Sequence, residues 1–112
     1  MPFDSAPEVM TPPKNDEDLH RIEVLKRAIS IWSDRKRRCR QMSQQYSKRH
    51  RTTQYCAIGV INASGSRESA ATYFGYRETK NKKVMNINDL VPYGQQYLFW
   101  RMKRELKRLL AK

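Results

Sequence analysis

NDEDLHRIEVLKRAISIW, residues 15–32, is the stretch from which the architecture of this chain is read. Asn15 is a helix-capping residue, and Asp16, Glu17 and Asp18 set negative charge at the positive end of the helix dipole. Behind them Leu19, Ile22, Leu25, Ile29 and Trp32 recur at spacings of three, three, four and three, with Val24, Ala28 and Ile31 on the flanks. That is the period of an amphipathic helix. Continued on the same wheel, Cys39, Met42 and Tyr46 stay on the apolar side, while Arg37, Arg38, Gln41, Gln44, Lys48 and Arg51 fall opposite. The spacing therefore predicts a helix running to about residue 50.

Downstream of Arg51 the period moves towards two. TTQYCAIGVI (residues 52–61) is β-branched and aromatic, and the turn-forming NASGS follows. ATYFGYRE (71–78) alternates, and after the polar TKNKK comes a short apolar run, Val84 to Ile87. These three segments read as strands. Pro92 fits the first turn of a last helix, in which Leu98, Phe99, Met102, Leu106, Leu109 and Leu110 share one face. The predicted fold is α+β: a long N-terminal amphipathic helix, a small three-stranded antiparallel sheet and a basic C-terminal helix, forming one domain over residues 15–112. Helix, three strands, helix resembles the element order of the double-stranded-RNA-binding domain, in which two helices span successive minor grooves. That family's Gly-Pro-x-His-type loop is absent, and YGQQYLFW stands where its Lys-Lys-x-Ala-Lys helix start would be, so no residue roles carry over.

A rival parsing makes SRESAATYFGYRETKNKKVMN part of a helix-turn-helix at about residues 67–88, in an all-α fold. Ala71, Phe74 and Gly75 then occupy the small, apolar and turn positions and Val84 lies late in the second helix, but Asn81 falls where an apolar residue should face the first helix.

The charge is unevenly laid out. The 112 residues carry 23 Lys plus Arg against 11 Asp plus Glu, a formal net charge of +12. Residues 1–18 hold five acids and one Lys, residues 19–51 eleven bases and two acids, residues 52–91 five and three, and residues 92–112 six and one. Four of the five prolines (Pro2, Pro7, Pro12 and Pro13) lie at the start, so residues 1–14 read as a disordered acidic arm. The densest basic run is RKRRCRQMSQQYSKRHR, residues 35–51, with eight Lys or Arg in 17 positions. Asp34 is the sole acid between residues 24 and 67, so salt bridges do not account for these bases. Arginine forks pair bidentately with phosphate oxygens, and a net charge this positive implies a polyanionic partner.

A chain of this length buries roughly 65% of its unfolded surface, enough for one modest core and not for a deep cleft besides. His20, His50, Cys39 and Cys56 stand in no catalytic or metal-ligand spacing, and neither a phosphate-binding glycine loop nor a dinucleotide turn occurs among the four glycines. The expectation is a protein that is not an enzyme and has no metal, cofactor or small-molecule substrate. No apolar run approaches the roughly 18 residues of a membrane span, and no signal peptide is assigned. Two cysteines are too few for a secreted disulfide framework, so an intracellular location is expected, cytoplasmic or nuclear. Arg37-Arg38 followed by Lys48 to Arg51 also reads as a bipartite nuclear-import signal.

The expected function is nucleic-acid binding through the backbone with little sequence readout, RNA favoured over DNA and duplex RNA among the targets. Arg35, Lys36, Arg37, Arg38, Arg40, Lys48, Arg49 and Arg51 are the first set of phosphate contacts, Lys80, Lys82 and Lys83 a turn cluster, and Arg101, Arg104, Lys107 and Arg108 a second stripe. Trp100 lies about 80° outside the apolar sector of the last helix, among bases, as a stacking or dimer-contact residue. The alternatives are a helix-turn-helix DNA-binding regulator and a non-catalytic dimeric scaffold or inhibitor subunit that docks on a larger assembly.

Overall fold

A computed structural model describes residues 14–39 and 44–112. Within it the elements run α1 (Asp16–Trp32), a 3-10 turn (Arg35–Arg37), β1 (Gln44–Ser47), β2 (Thr52–Tyr55), α2 (Ala57–Ala63), α3 (Ala70–Tyr73), a 3-10 turn (Glu78–Lys80), α4 (Asn81–Asp89) and α5 (Tyr93–Leu110). The class is α+β, with a two-stranded antiparallel sheet in place of the expected three strands. Most of the acidic arm lies outside the described residues. Among the described residues, no helix is long and apolar enough to cross a membrane.

α1 starts where the sequence places it: the Asn15 side chain accepts the Asp18 backbone N–H at 2.8 Å. Ile22, Val24, Leu25, Ala28 and Trp32 are buried, while Leu19 turns out to solvent. The helix ends at Trp32, well short of residue 50. Ser33 Oγ donates back to the Ile29 carbonyl, and the Asp34 carboxylate accepts the Lys36 N–H, which nucleates the 3-10 turn instead of another α-turn. Continuing the helix through RKRRCR would also stack like charges three and four residues apart. The basic run therefore becomes a turn, an extended Arg38 and a hairpin. β1 and β2 pair antiparallel with Gln44 opposite Tyr55 and Ser47 opposite Thr52. In the connecting turn Ser47 Oγ accepts from the His50 N–H, and Arg51 takes a left-handed conformation at φ 52°.

The second half of the first expected strand is a helix, α2, and the other two expected strands, 71–78 and 84–87, fall in α3 with the turns after it and in α4. Ala57–Ala63 is buried on nearly every side, so its apolar run carries no helical period, the case in which a buried helix and a buried strand look alike. Its N-terminus is closed by Cys56 Sγ, which accepts from Gly59 N–H, and by Asn88 Oδ1, which accepts from Ile58 N–H. In ATYFGYRE, Tyr73 and Phe74 are both buried and Gly75, at φ 77°, ends the turn. Asn81 accepts from the Ala71 N–H and Ser69 Oγ, so it caps α3 from the next element. That residue was the mismatch in the helix-turn-helix parsing. The helices that parsing expects here do form, with Val84 buried, although α3 spans only four residues and the hairpin excludes an all-α chain. With two strands, and a hairpin ahead of four helices, the element order is not that of the double-stranded-RNA-binding domain.

α1 and α5 pack antiparallel, with α2 against α1 and α4 against α5. Leu98, Met102 and Leu109 of α5 meet the α1 stripe, Val60 and Ile61 of α2, and Tyr73, Phe74 and Val84 in one core. Lys112 Nζ ties the end of α5 to the buried Asp18 carboxylate at 2.9 Å. Among the described residues no buried side-chain polar atom lacks a hydrogen bond. Gly94 sits at the first turn of α5 where a Cβ would lie 1.8 Å from the Ile87 carbonyl oxygen. Gly94→Ala is expected to cost roughly 3 kcal/mol or more, read as a shift in the urea midpoint. Trp32→Phe, which removes one buried hydrogen bond, is expected to cost about 1–3 kcal/mol in the same assay.

Candidate nucleic-acid interface

The bases singled out in the sequence fall into three places. Arg35, Lys36 and Arg37 form the 3-10 turn after α1, and Lys48, Arg49 and Arg51 crown the hairpin. Lys80 closes the second 3-10 turn, with Lys82 and Lys83 on the first turn of α4. Arg101, Arg104, Lys107 and Arg108 lie on α5, and Arg40 lies outside the described residues. The ion pairs among the described residues are Arg21–Glu68, Arg27–Glu23, Arg108–Glu105 and Lys112–Asp18. Most of the expected phosphate contacts thus carry uncompensated charge.

Arg38, Arg101 and Arg108 are engaged by groups of the protein itself, Arg38 and Arg101 partly buried and Arg108 at the surface. The Arg38 guanidinium lies 4.8 Å from the Trp32 ring centroid and 5.0 Å from that of Phe99, and its Nε donates to the Trp32 carbonyl at 2.7 Å. Burial there, with the Arg35 charge nearby, lowers its pKa from the ordinary arginine value. Arg101 donates from Nε to the Phe74 carbonyl at 2.6 Å and from Nη2 to the Gly75 carbonyl at 3.2 Å, satisfying carbonyls left open at the end of α3. Arg108 forms a bidentate pair with Glu105, both contacts at 2.7 Å, and this pairing raises its pKa.

What the structure adds to α5 is a row of rings. Successive helical residues turn by about 100°, so Lys103, Lys107, Trp100, Arg104, Tyr97, Arg108 and Arg101 follow one another around its outer half. Tyr97 is 42% and Trp100 49% exposed, and their ring centroids are 5.7 Å apart with the planes inclined by 32°. The Arg104 guanidinium lies 5.4 Å from the Trp100 ring. On the other side Arg101 rests 3.8 Å from the Tyr76 ring and donates to the Tyr97 hydroxyl at 3.1 Å, and Lys83 lies 5.5 Å from Tyr76. Rings and cations therefore form one connected row from Lys83 through Tyr76, Arg101 and the Tyr97–Trp100 pair to Arg104. On the opposite flank of α5, Phe99 takes Arg38 on one side and Lys103 at 4.6 Å on another.

Beside this row a hollow of about 370 Å³ opens at the Gly75 turn, where Arg21, Arg77 and Arg108 face Glu78 and Glu105. Gly75 is required there: its φ is 77°, and a Cβ would crowd Glu105 Oε1 at 3.3 Å and Arg101 Nη2 at 3.4 Å. Arg21 is anchored on Glu68 at 2.7 Å. Its burial works against its charge, the Glu68 hydrogen bond and charge outweigh that, and its pKa is raised.

Sequence reading reached Trp100 and the bases but not Tyr97, and it placed Tyr73, Phe74 and Tyr76 together as core before a stacking platform; Tyr73 and Phe74 are buried. For Tyr97 the signal is present: Tyr93, Tyr97, Trp100 and Arg104 are spaced four, three and four, on the side of the helix away from Leu98, Met102 and Leu109. Which way Tyr76 points depends on the Gly75 turn. Cys39 and Cys56 are buried and not joined in a disulfide, His20 Nε2 bonds to the Gly65 carbonyl oxygen at 2.9 Å, and no three His, Cys, Asp or Glu gather as metal ligands among the described residues.

The fold and surface together define a small α+β module with a basic hairpin and an aromatic, basic helix face. No protein-family model matches this chain, and no curated protein sequence and no solved structure matches it significantly.

Two consequences can be measured. The hydrogen bond from Arg101, aided by one from Tyr76, lowers the Tyr97 hydroxyl's pKa from its ordinary value. Because the folded value lies below the unfolded one, this linkage stabilises the fold above the ordinary tyrosine range of about 10 and is lost as pH falls through the lowered value. Ultraviolet titration of tyrosinate is expected to show one early-ionising tyrosine that Arg101→Gln returns to the ordinary range. Arg38→Ala is expected to cost roughly 1.5–3 kcal/mol of stability, from the lost charged hydrogen bond, in denaturant melts.

Proposed function

We propose that this protein binds nucleic acid, RNA in preference to DNA, chiefly through its phosphate backbone and with little reading of sequence. One observation carries the reading: Arg35, Lys36, Lys48, Arg49, Arg51, Lys82, Lys83, Arg104 and Lys107 are exposed, and none pairs with an acid among the described residues. Surface charge left unpaired on this scale favours a polyanion, because each phosphate neutralised releases condensed counterions. In this reading the hairpin turn replaces the basic helix as the first contact surface. β1 is largely exposed and β2 holds the hairpin to the body, so Lys48, Arg49 and Arg51 stand clear for approach to a groove. The outer half of α5 supplies the second surface, with Arg104 and Lys107 as its phosphate contacts. Arg38, Arg101 and Arg108 act by shaping these surfaces.

Fluorescence anisotropy with duplex RNA, single-stranded RNA and duplex DNA over a salt series tests this. The logarithm of affinity is expected to fall against the logarithm of salt by about 0.7–0.9 per phosphate contact. Replacing Lys48, Arg49 and Arg51 by Gln is expected to flatten that slope by roughly two units or more, leaving the melting curve unchanged. Salt-insensitive binding, or none near physiological salt, overturns the proposal.

A further inference from the structure

We infer that the Tyr97–Trp100 pair on α5 is a stacking site for unpaired bases, which makes single-stranded nucleic acid the preferred ligand; this rests on the nucleic-acid reading above and names the strand form it takes. Both rings are about half exposed although the core beneath them is complete, with Leu98, Met102 and Leu109 fully buried on the opposite side of the same helix. Among the described residues, hydrophobic burial thus leaves about half of each of these two large aromatics uncovered. The pair is also held in place. Tyr97 receives the Arg101 Nη1 hydrogen bond at 3.1 Å, and Arg101 is itself fixed by the Phe74 and Gly75 carbonyls, so the ring stands on an ordered support. The two planes are inclined by 32° at 5.7 Å, which leaves a face of each ring open instead of closing them on one another.

Charge decides among occupants. Exposed charged neighbours on this half of α5 are Lys103, Arg104, Lys107 and Arg108; the one acid, Glu105, is buried and bound to Arg108. A second copy of the chain would bring the same cations against these cations. A single strand instead offers bases to the rings and phosphates to the flanking Lys103, Arg104 and Lys107, with Arg104 directly beside the Trp100 ring. Bases in a duplex are closed in their own stack and have no face to offer.

The test uses the full chain with three probes at physiological salt: an oligouridine, a strand of the same length lacking bases, and a duplex. Trp100→Ala is expected to lower oligouridine affinity roughly 5- to 100-fold, Trp100→Phe to restore most of it, and binding of the abasic strand to stay unchanged in both. Oligouridine is expected to quench the exposed Trp100 emission in the native protein, a signal absent in Trp100→Phe, where buried Trp32 alone remains. Equal loss on oligouridine and the abasic strand, a duplex bound as tightly as oligouridine, or a dimer that Trp100→Ala dissociates without altering strand preference would each overturn the inference. Failure of the underlying reading is distinct: no strand binds at all, with or without bases.

Discussion

The Trp32 indole donates its N–H to the Tyr55 carbonyl oxygen at 2.7 Å, and three parts of the molecule are joined at that point. The ring closes the last turn of α1, its edge meets Phe99 of α5 at 5.5 Å, and the accepting carbonyl ends β2. The same oxygen takes the Cys39 N–H at 3.0 Å, so Trp32 and Cys39, on either side of the basic 3-10 turn, converge on it. Arg38 lies over Trp32 and Phe99 together and donates to the Trp32 carbonyl. A helix continuing past Trp32 would carry Arg38 and Cys39 away from this junction. Stopping α1 here is what turns the basic run into a projecting hairpin.

A second organising contact lies on the other flank of α5, where Arg101 holds the carbonyls of the Gly75 turn. It fixes Tyr76 and Tyr97 at once, and so determines both the hollow beside Gly75 and the ring pair above it. Arginine serves in both junctions because its fork can meet carbonyl oxygens in its own plane while an aromatic ring covers its face. Two of the most basic-looking positions in the chain are thus structural, and the charge available to a ligand comes from less crowded neighbours.

The parts of the fold legible in the sequence are those set by local rules. Asn15 and the acids after it mark the start of α1, and the stripes of α1 and α5 identify their buried sides within a residue or two, Leu19 and Leu110 being the positions that turn outward. Where the sequence misled, tertiary contacts supply what local pattern lacks. Residues 57–63 form a helix because Asn88, from α4, closes its N-terminus, and residues 70–73 because Asn81 does the same. Neither partner is near in sequence, and a helix apolar all round has no period to read. For the site, the bases and Trp100 were legible because charge and wheel position are local properties; which of Tyr73, Phe74 and Tyr76 faces out was not, because a left-handed glycine and a remote arginine aim Tyr76.

By itself, then, the sequence determined that the chain is strongly cationic, that it has two amphipathic helices, and which faces of them are buried, since these follow from composition and from a period of 3.6 residues. Only the tertiary structure decided which arginines are free. Arg38 and Arg104 are indistinguishable in a string of bases, yet one is drawn into a junction with Trp32 and Phe99 while the other stands beside an exposed Trp100. The difference is set by which carbonyls and rings the packing brings within reach of each guanidinium, and those lie in other elements of the fold.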